Sequence, residues 1–170
     1  MKRIYCLAAT FLVGVFLSTT SADAQTITAG GGVGYGSKSE NANIQANLYY
    51  SLPGAPVRLG ADVGYSNPEK TSQARVDEIE SNLNVHLMAV DNKIISLYGL
   101  TGLNILHIRS KVEVQGQSSI TDSDTNFGLN LGAGAELDIG FGRTFGEAKY
   151  IIGPDDRSQL VLGAGVRVRM

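Results

Sequence analysis

Strict alternation of apolar and polar side chains is the feature that most restricts the fold of this chain. In the stretch FGLNLGAGAELDIGFG, residues 127 to 142, apolar or small side chains occupy every second position, and glycine, asparagine or acidic residues stand between them. Successive side chains of a β-strand point to opposite faces of the sheet. A period of two therefore indicates a strand with one apolar and one polar face.

The same period recurs along most of the chain and predicts an all-β fold without helices. In the fifth candidate strand, IISLYGLTGLNILHI, both parities carry apolar residues, so the two faces of that strand are not assigned. The candidate strands are residues 26 to 36, 42 to 52, 57 to 66, 79 to 90, 94 to 108, 125 to 138, 143 to 152 and 158 to 169.

The connections between the candidate strands alternate in length. PGAP, DNK and the stretch around Gly140-Phe141-Gly142 are short and rich in turn-forming residues. Residues 67 to 78 and 109 to 124 are long, polar and charged. Short turns at one rim and long loops at the other are typical of an up-and-down barrel. In residues 110 to 117 the alternation continues and Gly116 suits a turn, which predicts a hairpin that protrudes beyond the barrel.

The first 24 residues have the pattern of a secretory signal peptide. Lys2 and Arg3 precede an apolar stretch, and Ala22-Asp23-Ala24 places small residues where a signal peptidase reads them. The apolar stretch is too short to span a bilayer as a helix, and no later segment approaches the roughly 20 apolar residues that a spanning helix needs. We assign residues 1 to 24 to the signal peptide, which contains the only cysteine, Cys6, and residues 25 to 170 to one barrel domain.

Alternation alone fits both a membrane barrel and a soluble exported lipocalin-like barrel that binds a small apolar ligand, and the second stays as the alternative. The face opposite the apolar one is largely glycine, asparagine and charge, which suits a narrow polar lumen better than an apolar ligand cavity. The aromatic residues fall near strand ends, as expected for rings at two water–lipid interfaces. The predicted girdles are Tyr35, Tyr65, Phe127 and Tyr150 at the long-loop rim, and Tyr50, Tyr98 and Phe141 at the short-turn rim.

The signal peptide, the eight alternating strands, the segments FGLNLGAGAELD and QLVLGAGVRVR and the unequal rims resemble the small outer-membrane β-barrel family that includes OmpX, the OmpA membrane domain and the opacity-type adhesins. The resemblance covers residues 25 to 170. It implies an eight-stranded antiparallel up-and-down transmembrane β-barrel in the bacterial outer membrane, with outer-membrane lipid and the outer-membrane assembly machinery as partners. Family members often end on an aromatic residue that this machinery recognises, whereas this chain ends at Met170.

In such a barrel the apolar parity faces lipid and the other parity faces inward. Both signs of charge occur on the inward parity of several strands, so we predict a charge network around the barrel axis. An ion path or a catalytic site is one interpretation of the network; a structural plug, with no open pore, is the interpretation that we favour. The predicted members are Arg58, Asp62, Glu136, Glu147, Lys149, Arg167 and Arg169.

We predict no enzymatic activity, no cofactor and no metal site. His86 and His107 would lie about 30 Å apart along the strands, too far for a general base and its partner. The glycine runs lack the third glycine of a dinucleotide fingerprint, and neither acidic pair, Asp122 with Asp124 or Asp155 with Asp156, follows an ordered calcium loop.

The loops are then the remaining place for recognition. A formal net charge of -2 gives no electrostatic basis for nucleic-acid binding. A protruding strand edge can accept a strand from another protein through backbone hydrogen bonds. The sequence therefore predicts a structural role, a surface adhesion or interaction role, or both, with loop 109 to 124 as the place where a surface protein would bind.

Overall fold

The computed structural model describes residues 27 to 70, 74 to 112, 120 to 154 and 157 to 170. The predicted signal peptide, Asp155 and Asp156 lie outside these ranges. Eight strands form the described part of the chain, and each confirms one of the predicted strands. They are β1 (Ile27–Gly36), β2 (Asn41–Ser51), β3 (Val57–Lys70), β4 (Ala74–Asp91), β5 (Ile95–Val112), β6 (Ile120–Asp138), β7 (Arg143–Ile152) and β8 (Gln159–Arg169).

The strands close into an antiparallel barrel in which each strand pairs with its neighbours in the chain. Closure is completed by β1 and β8, which pair from Thr28↔Arg169 to Gly36↔Val161. This topology confirms the predicted eight-stranded up-and-down barrel. Over the stretch in which all eight strands are paired, no strand presents an unpaired edge. Within the described residues, no helix is long and apolar enough to cross a membrane.

Strands β3 to β6 are longer than the other four and extend past them at one rim. β3 pairs with β4 as far as Lys70↔Arg75, and β5 pairs with β6 as far as Val112↔Ile120. We call this extension the projecting sheet; it comprises residues 65 to 70, 74 to 79, 107 to 112 and 120 to 125.

The projecting sheet corrects the predicted connections. The described residues of the two ranges 67 to 78 and 109 to 124 are strand and not loop. The apolar alternation fades there while the backbone ladder continues, so the sequence pattern ends before the strands do. The hairpin expected over residues 110 to 117 agrees with the pairing as far as Val112, and its tip lies outside the described residues.

The apolar parity faces outward around the whole wall. Leu129, Leu131, Leu160 and Leu162 are between 41% and 60% exposed, as the predicted orientation requires. Together with outward residues of the other strands they form a continuous apolar belt. Isolated soluble proteins rarely expose more than a few hundred Å² of contiguous apolar surface, so this belt needs an apolar environment.

The fifth strand is apolar on both parities because its inward face also contributes to packing. Leu97 and Leu103 are 39% and 54% exposed, whereas Tyr98 and Leu100 are 2% and 3% exposed. A bulge between Met88 and Val90 shifts the β4–β5 register. The bulge shifts the register by one residue, so that His86 is opposite Leu100 and not Thr101.

Candidate functional site

The barrel axis is filled, in the half nearer the short turns, by a cluster of buried charged and aromatic side chains. Each member lies on the inward parity of a different strand. All are at most 5% exposed, so this layer excludes water from the centre of the lumen. We call it the interior plug; it consists of Tyr49 of β2, Arg58 of β3, His86 of β4, Tyr98 of β5, Glu136 of β6 and Arg167 of β8.

Glu136 is the anionic centre of the interior plug. Its Oε1 accepts a hydrogen bond from Arg58 Nη2 at 2.6 Å and another from Arg167 Nη1. Its Oε2 lies 3.7 Å from Arg143 Nη1. The side chains of Glu136 and Arg167 are each 1% exposed and that of Arg58 is 6% exposed. The Glu136 carboxylate thus pairs with two buried guanidinium groups, so its removal would leave buried positive charge with too little compensation.

Stacked rings surround these ion pairs. The His86 ring stacks on Tyr98 with centroids 4.4 Å apart and an interplanar angle of 9°, and it meets Tyr49 at 4.8 Å. Two guanidinium groups lie over the Tyr49 ring, that of Arg58 at 4.8 Å and that of Arg167 at 4.4 Å. Arg167 also lies 3.8 Å from the centre of the Phe145 ring. The negative faces of the rings therefore share the compensation of buried positive charge with Glu136.

The contact between Arg58 and His86 fixes the state of the imidazole. Arg58 Nη2 lies 3.1 Å from His86 Nδ1. A guanidinium group can only donate, so Nδ1 must be the acceptor and the ring carries its single proton on Nε2. His86 is consequently neutral: it accepts a hydrogen bond from Arg58 and does not add a third positive charge to the plug.

Glycines make room for the two tyrosine rings. A Cβ atom on Gly60 would overlap the Tyr49 ring, and a Cβ atom on Gly134 would overlap the Tyr98 ring. Both glycines lie on inward parities next to the plug. The glycine content, 21 residues or about 12% of the chain against a usual share of about 7%, thus has a packing reason at these positions.

A polar layer lies between the plug and the projecting sheet. Asp62 accepts hydrogen bonds from the Tyr49 hydroxyl and from the Asn84 amide, each at 2.6 Å. Asn130 donates to the side-chain oxygen of Asn84 at 2.9 Å. Lys149 forms an ion pair with Glu80 at 2.8 Å. Most polar side chains in this half of the lumen are hydrogen-bonded to one another, as buried polar groups generally are.

The structure places most of the predicted charge network around the axis. Arg58, Glu136 and Arg167 meet directly, and Glu147 lies 3.5 Å from Arg167. Asp62 joins through the Tyr49 hydroxyl, to which Arg167 Nη2 donates at 3.0 Å.

Two members of the predicted network have other surroundings. Lys149 pairs with Glu80, which the sequence pattern did not single out. Arg169 does not join the cluster: it is exposed at the last position of β8, at the open short-turn rim, and forms no ion pair with a described residue.

The structure places five of the seven predicted girdle residues on the outer surface. Tyr35, Tyr65, Phe127 and Tyr150 are between 37% and 68% exposed there and Tyr50 is half-buried, whereas Phe141, 74% exposed, lies in the β6–β7 turn at the short-turn rim. Tyr98 is not a girdle residue, because its parity on β5 points inward and its ring belongs to the interior plug. Sequence reasoning missed Tyr49 and Tyr98 as plug residues. The available signal was an aromatic ring directly opposite a glycine of the neighbouring strand, Gly60 for Tyr49 and Gly134 for Tyr98.

A vestibule of about 590 Å³ opens at the short-turn rim and ends at the plug. Its walls include Arg143 and Asp91, which form an ion pair of 3.2 Å, and its floor includes Arg58, Glu136 and Arg167. The vestibule is therefore a dead end for a solute that enters from this side.

No group of described residues has the composition of a metal site. Asp122 and Asp124 lie on β6 in the projecting sheet. A hydrogen bond from Asn126 and the nearby charge of Arg157, which is 3.3 Å away, lower the pKa of Asp124. The two histidines are also apart: His86 is in the plug, and His107 lies on the outer surface opposite Ile79 and Thr125.

The fold is similar to those of solved outer-membrane barrels. A major outer membrane protein from Thermus thermophilus matches with a TM-score of 0.65 and 12% identity over 87% of this chain and 100% of that chain. The N-terminal β-barrel domain of Pseudomonas aeruginosa OprF matches with a TM-score of 0.61 and 14% identity over 87% and 100%. Ail, the attachment invasion locus protein of Yersinia pestis, matches with a TM-score of 0.52 and 18% identity over 84% and 97%.

Sequence comparison gives no match of this kind. No protein-family model matches the chain, and no curated protein matches its sequence. At identities of 12% to 18% the similarity to the solved structures concerns architecture. The chain thus has the fold of the small eight-stranded outer-membrane β-barrels.

Proposed function

We propose that this protein is an integral β-barrel of the bacterial outer membrane. Its interior plug closes the barrel to ions, and its projecting sheet binds partners at the cell surface. One observation carries the membrane part of the proposal: the barrel is apolar outside and ionic inside. A protein that folds in water has the opposite arrangement.

The closed wall meets the requirement that a hydrocarbon environment imposes on the backbone. In lipid every backbone N–H and C=O group needs a partner within the protein, and a closed sheet provides one for each strand of the wall. The outward rings of Tyr35, Tyr65, Phe127 and Tyr150 at one end of the belt and Tyr50 at the other suit the two membrane–water interfaces.

The soluble lipocalin-like alternative is not supported by this arrangement. A barrel that binds an apolar ligand in water keeps large apolar side chains around an internal cavity. Here the axis holds Arg58, Glu136 and Arg167, and the leucines of β6 and β8 face outward. An apolar ligand would have to displace hydrogen-bonded ion pairs to enter.

The projecting sheet supports the surface role. Above the Leu129↔Ile152 pair, residues 120 to 128 of β6 pair with β5 but have no partner strand on the β7 side. An edge of this kind can accept a strand of another protein through backbone hydrogen bonds. Short turns face the periplasm and longer extensions face outward in barrels of this class, so this edge would be at the cell surface. The structural neighbour Ail is named for attachment and invasion, which is consistent with such a role.

Heat-modifiable gel mobility tests the membrane part. Cells that express the chain are fractionated, and the outer-membrane fraction is extracted with detergent and run on a gel with and without boiling. We expect the protein in this fraction, with a different mobility before boiling, because a folded membrane barrel survives detergent at room temperature. Recovery in a clean aqueous extract with one mobility would refute the proposal.

Deletion of residues 109 to 123, which include the β5–β6 part of the projecting sheet, tests the proposed surface role. Ile108 and Asp124 are paired, so an Asn-Gly dipeptide in place of residues 109 to 123 joins them by a two-residue turn. Cells that display either form are compared for adhesion to heparin-coated and protein-coated surfaces. We expect the full chain alone to promote adhesion, and both forms to keep heat-modifiable mobility. Equal adhesion by the two forms would remove the interaction role and leave the membrane role intact.

A further inference from the structure

The outer face of the projecting sheet carries a cluster of cations directly above the apolar belt. On β5 the outward parity passes from Leu103 and Ile105 to polar and basic residues without a change of face. On β4, Arg75 is paired with Lys111 of β5. We call this cluster the basic face; it consists of Arg75, His107, Arg109 and Lys111.

Charge is segregated between the two faces of the projecting sheet. The inward parity carries Glu78, Asp122 and Asp124. The outward parity carries one acidic residue with a described side chain, Asp77, which accepts hydrogen bonds from Arg75 at 2.9 Å and from Tyr65 at 2.6 Å.

The positive charge of Arg109 is exposed on this surface. Arg109 lies opposite Asp77 of β4 but forms no ion pair with a described residue. Ser123 and Thr125 of β6 lie opposite Arg109 and His107 and add hydroxyl groups to the same surface. The basic face is therefore net positive and rich in hydrogen-bond donors.

The height of the basic face matches that of lipid headgroups. Height is measured along β5, because a cross-strand row slopes in a barrel of tilted strands. Ile105 pairs with Phe127 of the long-loop-rim girdle, and His107 and Arg109 follow it by two and four residues, which is about 5 and about 10 Å along the barrel axis. The headgroup layer adds about 5 to 8 Å to each side of the hydrocarbon core. The cations also point sideways from the wall, toward the surrounding leaflet and not toward the solution above it.

We propose that the basic face binds the phosphate groups of a phosphate-bearing glycolipid in the outer leaflet. The inference rests on the proposed function, since it requires the belt to lie in a membrane. Arginine recognises phosphate through charge-assisted and bidentate hydrogen bonds, and lysine adds a point charge. The apolar side chains directly below, among them Ile105 and Phe127, would contact the acyl chains of the same lipid.

Native mass spectrometry of the folded protein in neutral detergent tests the inference. The protein is titrated with lipid A, a phosphorylated glycolipid, and in parallel with phosphatidylcholine. We expect wild-type protein to bind lipid A more tightly than phosphatidylcholine. Arg109→Gln should weaken lipid A binding about five-fold, which corresponds to about 1 kcal/mol for one cation near an anionic headgroup. The double variant Arg109→Gln/Lys111→Gln should weaken it further.

Lys38→Gln is the matched control. It removes one positive charge at the same rim, but on the β1–β2 turn, on the far side of the barrel. We expect it to bind lipid A as wild-type protein does, and we expect inorganic phosphate to displace no bound lipid. Equal weakening by Arg109→Gln and Lys38→Gln, no preference for lipid A, or displacement by inorganic phosphate would each overturn the inference. Gel mobility of the same samples shows separately whether the barrel is folded, so this failure is distinct from failure of the proposed function.

Discussion

Single residues in the lumen carry large energetic consequences because few of them can be exchanged without leaving a buried charge. Glu136 is the clearest case, since it accepts hydrogen bonds from both Arg58 and Arg167. An isolated ionised group in a low-dielectric interior is strongly unfavourable unless it is paired. The plug therefore depends on one carboxylate more than on any one of its rings.

Glu136→Gln should destabilise the folded barrel. The amide keeps the shape of the side chain but removes the negative charge between two buried guanidinium groups, so we expect a loss of about 3 to 5 kcal/mol. The measurement is the free energy of unfolding in guanidinium chloride, with protein folded in detergent micelles. Glu40→Gln, at an exposed turn position, is the control and should change stability by less than about 0.5 kcal/mol. A similar small change for Glu136→Gln would mean that water reaches the plug.

Gly134→Ala tests the packing of a ring against the wall. The added methyl group would overlap Tyr98, and overpacking of this kind typically costs about 1 to 3 kcal/mol. Gly146→Ala is the control, because a Cβ atom at Gly146 has nothing within 4 Å. The same unfolding assay should show a loss for the first variant and almost none for the second. A loss of equal size at both positions would point to a general effect on strand formation and against the ring contact.

At the scale of the strands, outward parity and depth in the membrane together determine the effect of a substitution. The outward face of β6 carries Leu129, Leu131 and Leu137, which lie in this order between the girdle at the long-loop rim and the short-turn rim. A charged side chain on the lipid face of a barrel costs most at the midplane and little near the interface. Substitutions at different positions of this face therefore place the new side chain at different depths.

Leu131→Arg should destabilise the barrel by about 2 to 4 kcal/mol in vesicles, and Leu137→Arg, on the same face near the short-turn rim, by about 0 to 1 kcal/mol. The measurement is the free energy of unfolding of each variant in phospholipid vesicles, relative to that of wild-type protein. Costs that do not depend on position along β6 would argue that the belt is not immersed in lipid.

The strands of the wall and the charged members of the plug could be predicted from the sequence, but the extent of the projecting sheet and the aromatic members of the plug could not. Period two is visible wherever one face meets an apolar environment and the other does not, as in β6 from Phe127 to Leu137. Beyond the apolar belt both faces carry polar residues, so the pattern vanishes although β4 extends to Ala74. In the lumen, the inward orientation of Tyr98 could not be predicted because both parities of β5 are apolar. Contacts between distant strands, such as that of Arg58 with Glu136, could not be predicted because they form only when the barrel closes.

The whole molecule is a closed wall around a filled axis, so it should not conduct ions. Arg167, Tyr49, His86 and Glu136 are each less than 2% exposed, and the vestibule at the short-turn rim ends on this layer. We expect folded protein in a planar lipid bilayer to give no steady conductance above that of the bare membrane. Reproducible current steps with wild-type protein would show that the plug opens and would contradict the proposed closed state.

The orientation of the belt is the claim on which the other conclusions depend, and spin-label accessibility tests it most directly. Residues 25 to 170 contain no cysteine, so a label can be attached at Leu131→Cys or, in the projecting sheet, at Ser123→Cys. In lipid vesicles, dissolved oxygen enters hydrocarbon whereas a polar nickel chelate stays in water. We predict that the label at residue 131 collides with oxygen and is shielded from the chelate, and that the label at residue 123 shows the reverse. Chelate collisions as frequent at residue 131 as at residue 123 would contradict the account.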